Sequence, residues 1–337
     1  MRVVAISCVK NEEDIVEAFV RHSLAFVDQL VILDNGSTDR TQEILRSLQA
    51  EGIPIEIVDD SSVGYWQWKR MNFLLREHAL KKYGADWIIP IDADEFIVVD
   101  DPLLFRNSIS SSQLPVKTRW RTYVPHPDDD MGEGNPATRI RYRLLEEARQ
   151  YCKIIIPSRI MIAHPDVVLS QGNHNLVRNG KNVKSRDLDS AYLAHIPIRD
   201  PGQYGAKVAL GYLQYLAMSE KESNWGWQYE VAYALLKSDP REFLDTYREA
   251  ALRFSVKPGD DFEPETILDP IPYRGGGLRY THVSPGEWRT FRSIVAYAES
   301  LARAYSDLLV KYDEALAKPN RLGRIMKLLR SMWGSRR

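Results

Sequence analysis

The residues best suited to chemistry lie in "DWIIPIDADEFIVV", residues 86 to 99, where Asp92, Asp94 and Glu95 interrupt an apolar run. Three unpaired carboxylates in a dry core would be costly, whereas a strand end that opens onto a cleft can hydrate them or use them as ligands. Side chains alternate along an extended strand, so Asp92 and Asp94 are expected to share one side and Glu95 to take the other. Such an oxygen-rich group suits Mg²⁺ or Mn²⁺, with phosphate oxygens completing the shell. Taken alone, the motif also fits a solvated strand-to-loop junction. A second carboxylate, Asp34, follows the apolar run in "VILDNGSTDRT", with Asn35, Ser37, Thr38 and Asp39 in the turn behind it. These groups could read a base or ribose, or form an ordinary turn that caps a helix, and Gly36 relieves backbone crowding in either case. No G-x-G-x-x-G signature accompanies them, which argues against a dinucleotide site. His174 in "SQGNHNLV" and His195 in "AYLAHIPIRD" are candidates to complete a mixed oxygen and nitrogen shell.

These groups need a scaffold. Residues 3–9 read as a strand, "EDIVEAFVRHSLAF" has helical spacing, and "QLVILDNGSTDRTQEILRSLQAEG" gives strand, turn and helix. "IPIEIVDD", a helix over residues 65–83 and "DWIIPID" continue the alternation, which favours a mostly parallel sheet covered by helices. Residues 113–170 change character: "LPVKTRW", "TRIRY", "CKIIIP" and "VVLS" suggest a smaller mixed β region. Residues 203–253 and a section from about Glu287 read as helical. The expected organisation is a catalytic core over 1–210, a helical and loop-rich elaboration over 211–320, and a basic amphipathic tail over 321–337.

With 337 residues, 44% apolar and 27% charged, the chain can bury a large core, and its net charge of −1 gives no global argument for binding nucleic acid. Two cysteines form neither a metal cluster nor a disulfide framework, the N-terminus turns polar too early for a secretory signal, and no apolar stretch approaches a membrane span. A cytoplasmic location is the expectation. The last 17 residues carry six Arg or Lys and no acid, with Leu322, Ile325, Met326, Leu329, Met332 and Trp333 at helical spacing. That pattern fits a helix lying on an anionic membrane face, or one docked on protein.

The ordered set "SCVKNEEDIVEAFVRHSLAFVDQLVILDNGSTDRT", "WQWKRMNFLLREHA" and "ADWIIPIDADEF" resembles GT-A glycosyltransferases of the family 2 type with an Asp-X-Asp motif. The resemblance is strong over about residues 1–105 and implies a Rossmann-related fold that binds a nucleoside-diphosphate sugar with Mn²⁺ or Mg²⁺. By that resemblance Asn11 and Glu12 lie in the first-strand loop, Asp34 reads the nucleotide, and Arg70 and Asn72 lie beside the donor pocket. Asp92 contacts ribose or sugar, and Asp94 holds the ion. A late histidine that reaches the ion favours His195 over His174, and "HIPIRDPGQYGAK" puts Lys207 beside the phosphates. A base must deprotonate the hydroxyl acceptor, a glycan or lipid-linked sugar, in an inverting transfer. The family's Glu-Asp and Gln-Arg-Trp motifs are not cleanly present. Asp166 is the base by chain order, with Glu146 or Glu147 behind it. Trp66 with Trp68, and Trp225 with Trp227, could stack sugars or simply pack. A sugar-phosphate nucleotidyltransferase and a noncatalytic carbohydrate-binding protein are the competing readings.

Overall fold

Alternation along Val3–Val9 (β1) sends Val3 and Ala5 to one face of a sheet and Val4 and Ile6 to the other, and all four are fully buried. A strand apolar on both faces needs cover on both. The computed structural model describes residues 1–62, 64, 66–217, 227–257, 259–281 and 286–317. They group into two compact units: Met1–Ser61, Trp66–Asp200 and Thr246–Ser284 form the first, and Ser62–Tyr65, Pro201–Asp245 and Pro285–Arg337 the second.

In the first unit, α1 (Val16–Ser23) follows β1, β2 is Gln29–Asp34, α2 is Thr41–Ala50 and β3 is Ile55–Asp59. Next come α3 (Gln67–Phe73), extended by wider turns to Lys82, then β4 (Trp87–Pro90), β5 (Glu95–Val98) and α4 (Pro102–Ser110). The middle holds β6 (Val116–Val124), α5 (Pro136–Arg139), β7 (Tyr142–Leu144), β8 (Cys152–Pro157) and α6 (Ser158–Ala163). It continues with β9 (Val168–Leu169), β10 (Leu176–Arg178), β11 (Lys181–Asn182) and β12 (Arg186–His195). β1, β2, β3 and β4 are mutually parallel, with Val9, Asp34 and Asp59 in register, so their carboxyl ends share one edge. The sheet runs from β13 (Thr266–Leu268) through β7, β6, β8, β4, β1 and β2 to β3, and β12 pairs with both β5 and β6. One core joins Val3, Ala5, Leu30, Ile32 and Ile89 to α1 and α2, and the other joins Val4, Ile6, Val31, Leu33 and Ile88 to Met71, Leu74 and Leu75.

Three local expectations meet a different geometry. The strand of "DWIIPIDADEF" stops at Pro90, and Asp92 and Asp94 stand in the turn before β5, so strand alternation does not govern them. β6, β7 and β8 join the main sheet, and a separate three-stranded sheet holds β9, β10 and β11. Thr138 and Arg139 of "TRIRY" belong to α5, whose start is fixed by Pro136 and by Asn135, which accepts from the Ala137 amide at 3.0 Å.

α10 (Tyr247–Leu252) and β13 (Thr266–Leu268) also lie in the first unit. β13 pairs with β7, and the buried Glu17 carboxylate accepts from the amides of Arg279, Tyr280 and Thr281 at 2.7–2.8 Å. The "YRGGGLRY" passage is thus tied into the first unit rather than to the helical elaboration. The second unit contains α7 (Pro201–Leu216), α8 (Trp227–Ser238), α9 (Pro240–Asp245) and α11 (Gly286–Ala317) around Val208, Ala209, Leu236 and Phe243. Among the described residues, no helix is long and apolar enough to cross a membrane. The tail at 321–337, Trp225 and His282 lie outside the described residues.

Candidate functional site

The carboxyl ends of β1, β2 and β4 place the first-strand loop, the Asp34 turn and the Asp92–Glu95 turn on one edge, as ligand sites of open α/β sheets require. Asp34, buried at the end of β2, accepts the Ser37 amide at 3.2 Å and bonds the Ser37 hydroxyl. Asn11, at φ +57°, accepts the Thr38 amide at 2.8 Å and donates its own amide to Ser37 Oγ at 2.9 Å. The first-strand loop and the Asp34 turn therefore brace each other. Lys10 adds bonds to the carbonyls of Asn35 and Gly36 at 2.6 and 3.1 Å. Gly36, at φ +62°, passes so near Ser61 that a Cβ would sit 3.3 Å from its Cα. Asp39 accepts the Thr41 amide at 2.9 Å where α2 begins. Burial raises the Asp34 carboxyl above its ordinary range, against the pull of Ser37 and Lys10.

Arg70, nearly buried on α3, donates to Asp60 at 2.7 Å, just beyond β3. A single thiol shows how tightly these groups converge. Cys8 is pushed up to about 12 by burial, with Arg70 pulling it down and Asp92, Asp60 and Asp34 pushing it up.

The Asp92–Glu95 turn closes on itself: the Asp92 amide donates to Glu95 Oε2 at 3.0 Å, and the Glu95 amide to the Asp92 carbonyl at 3.1 Å. Antiparallel pairing of β4 with β8 brings the start of β8 to this turn. There Lys153, 2% exposed, pairs with Asp92 and lies 3.3 Å from Glu95. Burial opposes its charge, but Asp92 and Glu95 outweigh burial and hold the ammonium above its ordinary range. Burial pushes Glu95 up to about 8 against the pull of Lys153. Gln67 donates to Asp92 at 3.3 Å.

β12 supplies the histidine. His195 stands opposite Glu95 on β5 and opposite Thr122 on β6, which puts His195 Nε2 3.7 Å from Asp94 Oδ2. Its ring stacks on Trp120 at 4.3 Å and meets Phe254 edge-on at 5.3 Å. Thr122 anchors Glu147 through its amide at 2.5 Å and its hydroxyl at 2.9 Å. Burial raises the Glu147 carboxyl, while the two Thr122 bonds and the nearby His195 pull it down. His174 is spent differently: Nδ1 donates to the Cys152 carbonyl at 2.7 Å, and its ring meets Trp120 at 5.6 Å and Tyr151 at 5.4 Å. It is held beneath Gly172, where any Cβ would come within 2.5 Å of its Nε2.

A divalent cation is testable on this donor set. Among the described residues, no group of three or more His, Cys, Asp and Glu side chains is poised as a complete cage. Asp94 and His195 offer one oxygen and one nitrogen 3.7 Å apart. Two protein donors with the rest from phosphate and water fit a Mn²⁺ or Mg²⁺ ion that binds with its substrate.

The other residues singled out in the sequence have the following surroundings. Asn72 bonds the Leu169 backbone in both directions, at 2.9 and 2.8 Å, and so fastens β9 rather than lining the site. Asp166 forms an exposed ion pair with Arg178 at 2.7 Å, and that guanidinium holds its carboxyl below the ordinary range. Lys207 stands on α7 of the second unit. Trp66 and Trp68 flank Lys69, whose ammonium lies 3.9 Å from the Trp66 ring centroid. Glu12 shares the buried Arg199 with Asp14, which Arg199 Nε meets at 2.6 Å. Lys153 and Arg199 escape sequence reasoning. Only a lone charge within an apolar run, "CKIIIP" or "HIPIRD", signalled them.

Residues 4–101 match the family model described as Glycosyl transferase family 2. A TPR repeat-containing protein of Synechococcus elongatus is 27% identical over 117 residues, spanning 30% of this chain and 26% of that protein. The matched stretch is thus about a quarter of the relative's length. Among solved structures, the chain is similar to the mannosyltransferase PcManGT of Pyrobaculum calidifontis, solved with GDP-Man and Mn²⁺. There the identity is 13%, the coverage 99% of this chain and 88% of that one, and the TM-score 0.38. It is also similar to S. aureus TarS 1-349 in complex with UDP, at 14% identity, 76% of each chain and a TM-score of 0.36. The segment that carries Asn11, Asp34, Asp92 and Asp94 thus matches glycosyl transferase family 2, and it lies on the parallel edge of a mixed α/β sheet.

Proposed function

We propose that the protein transfers a sugar from a nucleoside diphosphate to a hydroxyl acceptor, with inversion at the anomeric carbon. The observation that carries this reading is the Asp94–His195 pair, 3.7 Å apart, on the same edge as the Asp34 turn. Asp34 is suited to accept a hydrogen bond from the nucleotide, and Arg70 to oppose the charge of its phosphates. Asp92, one quarter exposed and held from behind by Lys153, is suited to accept from a ribose or sugar hydroxyl. Asp94 and His195 would hold Mn²⁺ or Mg²⁺, which when bound supplies Lewis-acid stabilisation of the departing diphosphate. Proteins similar to this one were solved with GDP-Man and Mn²⁺ and with UDP, so a donor panel begins with GDP- and UDP-sugars.

Glu147 takes the part of general base in this reading. The acceptor oxygen attacks the anomeric carbon as its proton passes to a Glu147 carboxylate oxygen, and the bond to the diphosphate breaks on the opposite side. A carboxylate that Thr122 holds rigidly, and whose proton affinity burial raises, suits that step better than the exposed Asp166. A hydroxyl-bearing glycan or lipid-linked sugar is the proposed acceptor. The basic tail over 321–337 makes the cytoplasmic membrane face a proposed second partner, which liposome co-sedimentation with and without that tail would read.

The test is a panel of nucleoside-diphosphate sugars scored by binding calorimetry and, with acceptor, by the anomeric configuration of the product in ¹H NMR. An inverted product supports the reading, and retained configuration removes Glu147 from the role given to it.

A further inference from the structure

We propose that Lys153 is an internal counter-cation for the acidic turn, and that by neutralising Asp92 it leaves Asp94 and His195 as the protein's ligands and keeps affinity for a free divalent ion low. The proposal rests on the metal reading above and gives Lys153 a part in ion affinity that the reading does not. A buried lysine that heads the apolar run Ile154–Ile156 has no place in a core unless it is paired, and Lys153 is paired: its ammonium bonds Asp92 and lies 3.3 Å from Glu95. Its partner Asp92 keeps a quarter of its side chain exposed while the ammonium is buried, so the ammonium neutralises that carboxylate from the protein side. Lys153 and His195 also share a wall. The ammonium lies 5.8 Å from the centroid of the Trp120 ring on which His195 stacks. A fixed positive charge paired within the same turn repels a cation held at Asp94 and His195, and repulsion between unit charges in a protein interior is worth about tenfold or more in affinity.

Lys153 therefore does two things at once. It aims Asp92 at the donor, and it makes tight ion binding depend on the additional negative charge that a bound diphosphate brings.

The experiment measures Mn²⁺ affinity of the full chain without donor, by electron paramagnetic resonance titration, for wild type, Asp92→Asn, Lys153→Met and the double variant. Lys153→Met is expected to bind Mn²⁺ about tenfold tighter while turning over donor more slowly, a gain that loss of structure would not produce. Because Lys153→Met leaves buried carboxylates unpaired and can fail to fold, the deciding comparison is between Asp92→Asn and the double variant. Asp92→Asn leaves the ammonium opposed by Glu95 alone and is expected to lose about tenfold, which adding Lys153→Met recovers. Equal affinities in these two folded variants overturn the role of Lys153 alone. A loss in Asp92→Asn that the second change does not recover makes Asp92 a direct ligand and also overturns the proposal. Absence of Mn²⁺ binding by wild type, with or without nucleoside diphosphate, overturns the metal reading beneath it.

Discussion

His195 Nε2 lies 3.7 Å from Asp94 Oδ2 because β12 and β5 pair in a register that sets His195 opposite Glu95. A residue at the end of β12 and one in the turn before β5 are thereby brought together, and the Trp120 ring stacks on the imidazole at 4.3 Å.

If that pair holds the ion, His195→Ala weakens Mn²⁺ binding in the presence of nucleoside diphosphate by at least tenfold, or about 1.4 kcal/mol. His174→Ala retains binding, because His174 is spent on the Cys152 carbonyl. Electron paramagnetic resonance titration of the two variants separates them.

Glu147→Gln lowers kcat by about 10² to 10⁴, the range expected on losing a general base, and leaves donor binding intact. The acid limb of the pH profile, which Glu147 sets above the ordinary carboxylate range, disappears with it. Asp166→Asn leaves the profile unchanged. Steady-state kinetics across pH checks all three outcomes.

His22 makes stability depend on pH. The Arg274 amide donates to its Nδ1 at 3.2 Å, so Nε2 carries the proton and donates to the Ile97 carbonyl at 2.8 Å. Burial, with a smaller push from Arg274, takes it down to about 4 from the ordinary 6.5, against the Ile97 bond. The unfolded chain binds the proton first as pH falls, so this contribution is present above pH 6.5 and is lost on acidification through about 4. It amounts to about 3 kcal/mol at most. Urea denaturation from pH 7 to 4 should show a smaller loss in His22→Gln than in wild type.

Glu17→Ala removes the acceptor of three backbone amides and the Thr281 hydroxyl and leaves those donors unsatisfied. The expected cost is about 3 kcal/mol or more, with the chain near 279–281 becoming the first site of limited proteolysis. An unchanged urea midpoint would contradict this.

Much of the scaffold was legible because local signals agreed. Apolar runs, polar turns and helical spacing mark β1, β2 and β4 with their helices, and Asp34 and the Asp92–Glu95 turn fall at strand ends. What stayed hidden depends on strands meeting from far along the chain. Lys153 reads as one charge in an apolar run until β8 turns antiparallel to β4. Glu147 gains its anchor from Thr122, twenty-five residues earlier. Strand alternation does not govern Asp92 and Asp94, because the strand ends at Pro90 and the turn carries both, while Glu95 braces that turn through the Asp92 amide. Asn72 carries the composition of a binding residue but serves as a bracket for β9.

The most direct measurement is release of free nucleoside diphosphate from a donor panel by wild type and Asp94→Asn, each with Mn²⁺ and with chelator, on proteins matched in circular dichroism. Release that requires the ion and falls at least a hundredfold in Asp94→Asn is the predicted result, at about 2.7 kcal/mol of lost transition-state stabilisation. Equal release by both proteins, or no binding of any nucleoside-diphosphate sugar by the folded wild type, would contradict it.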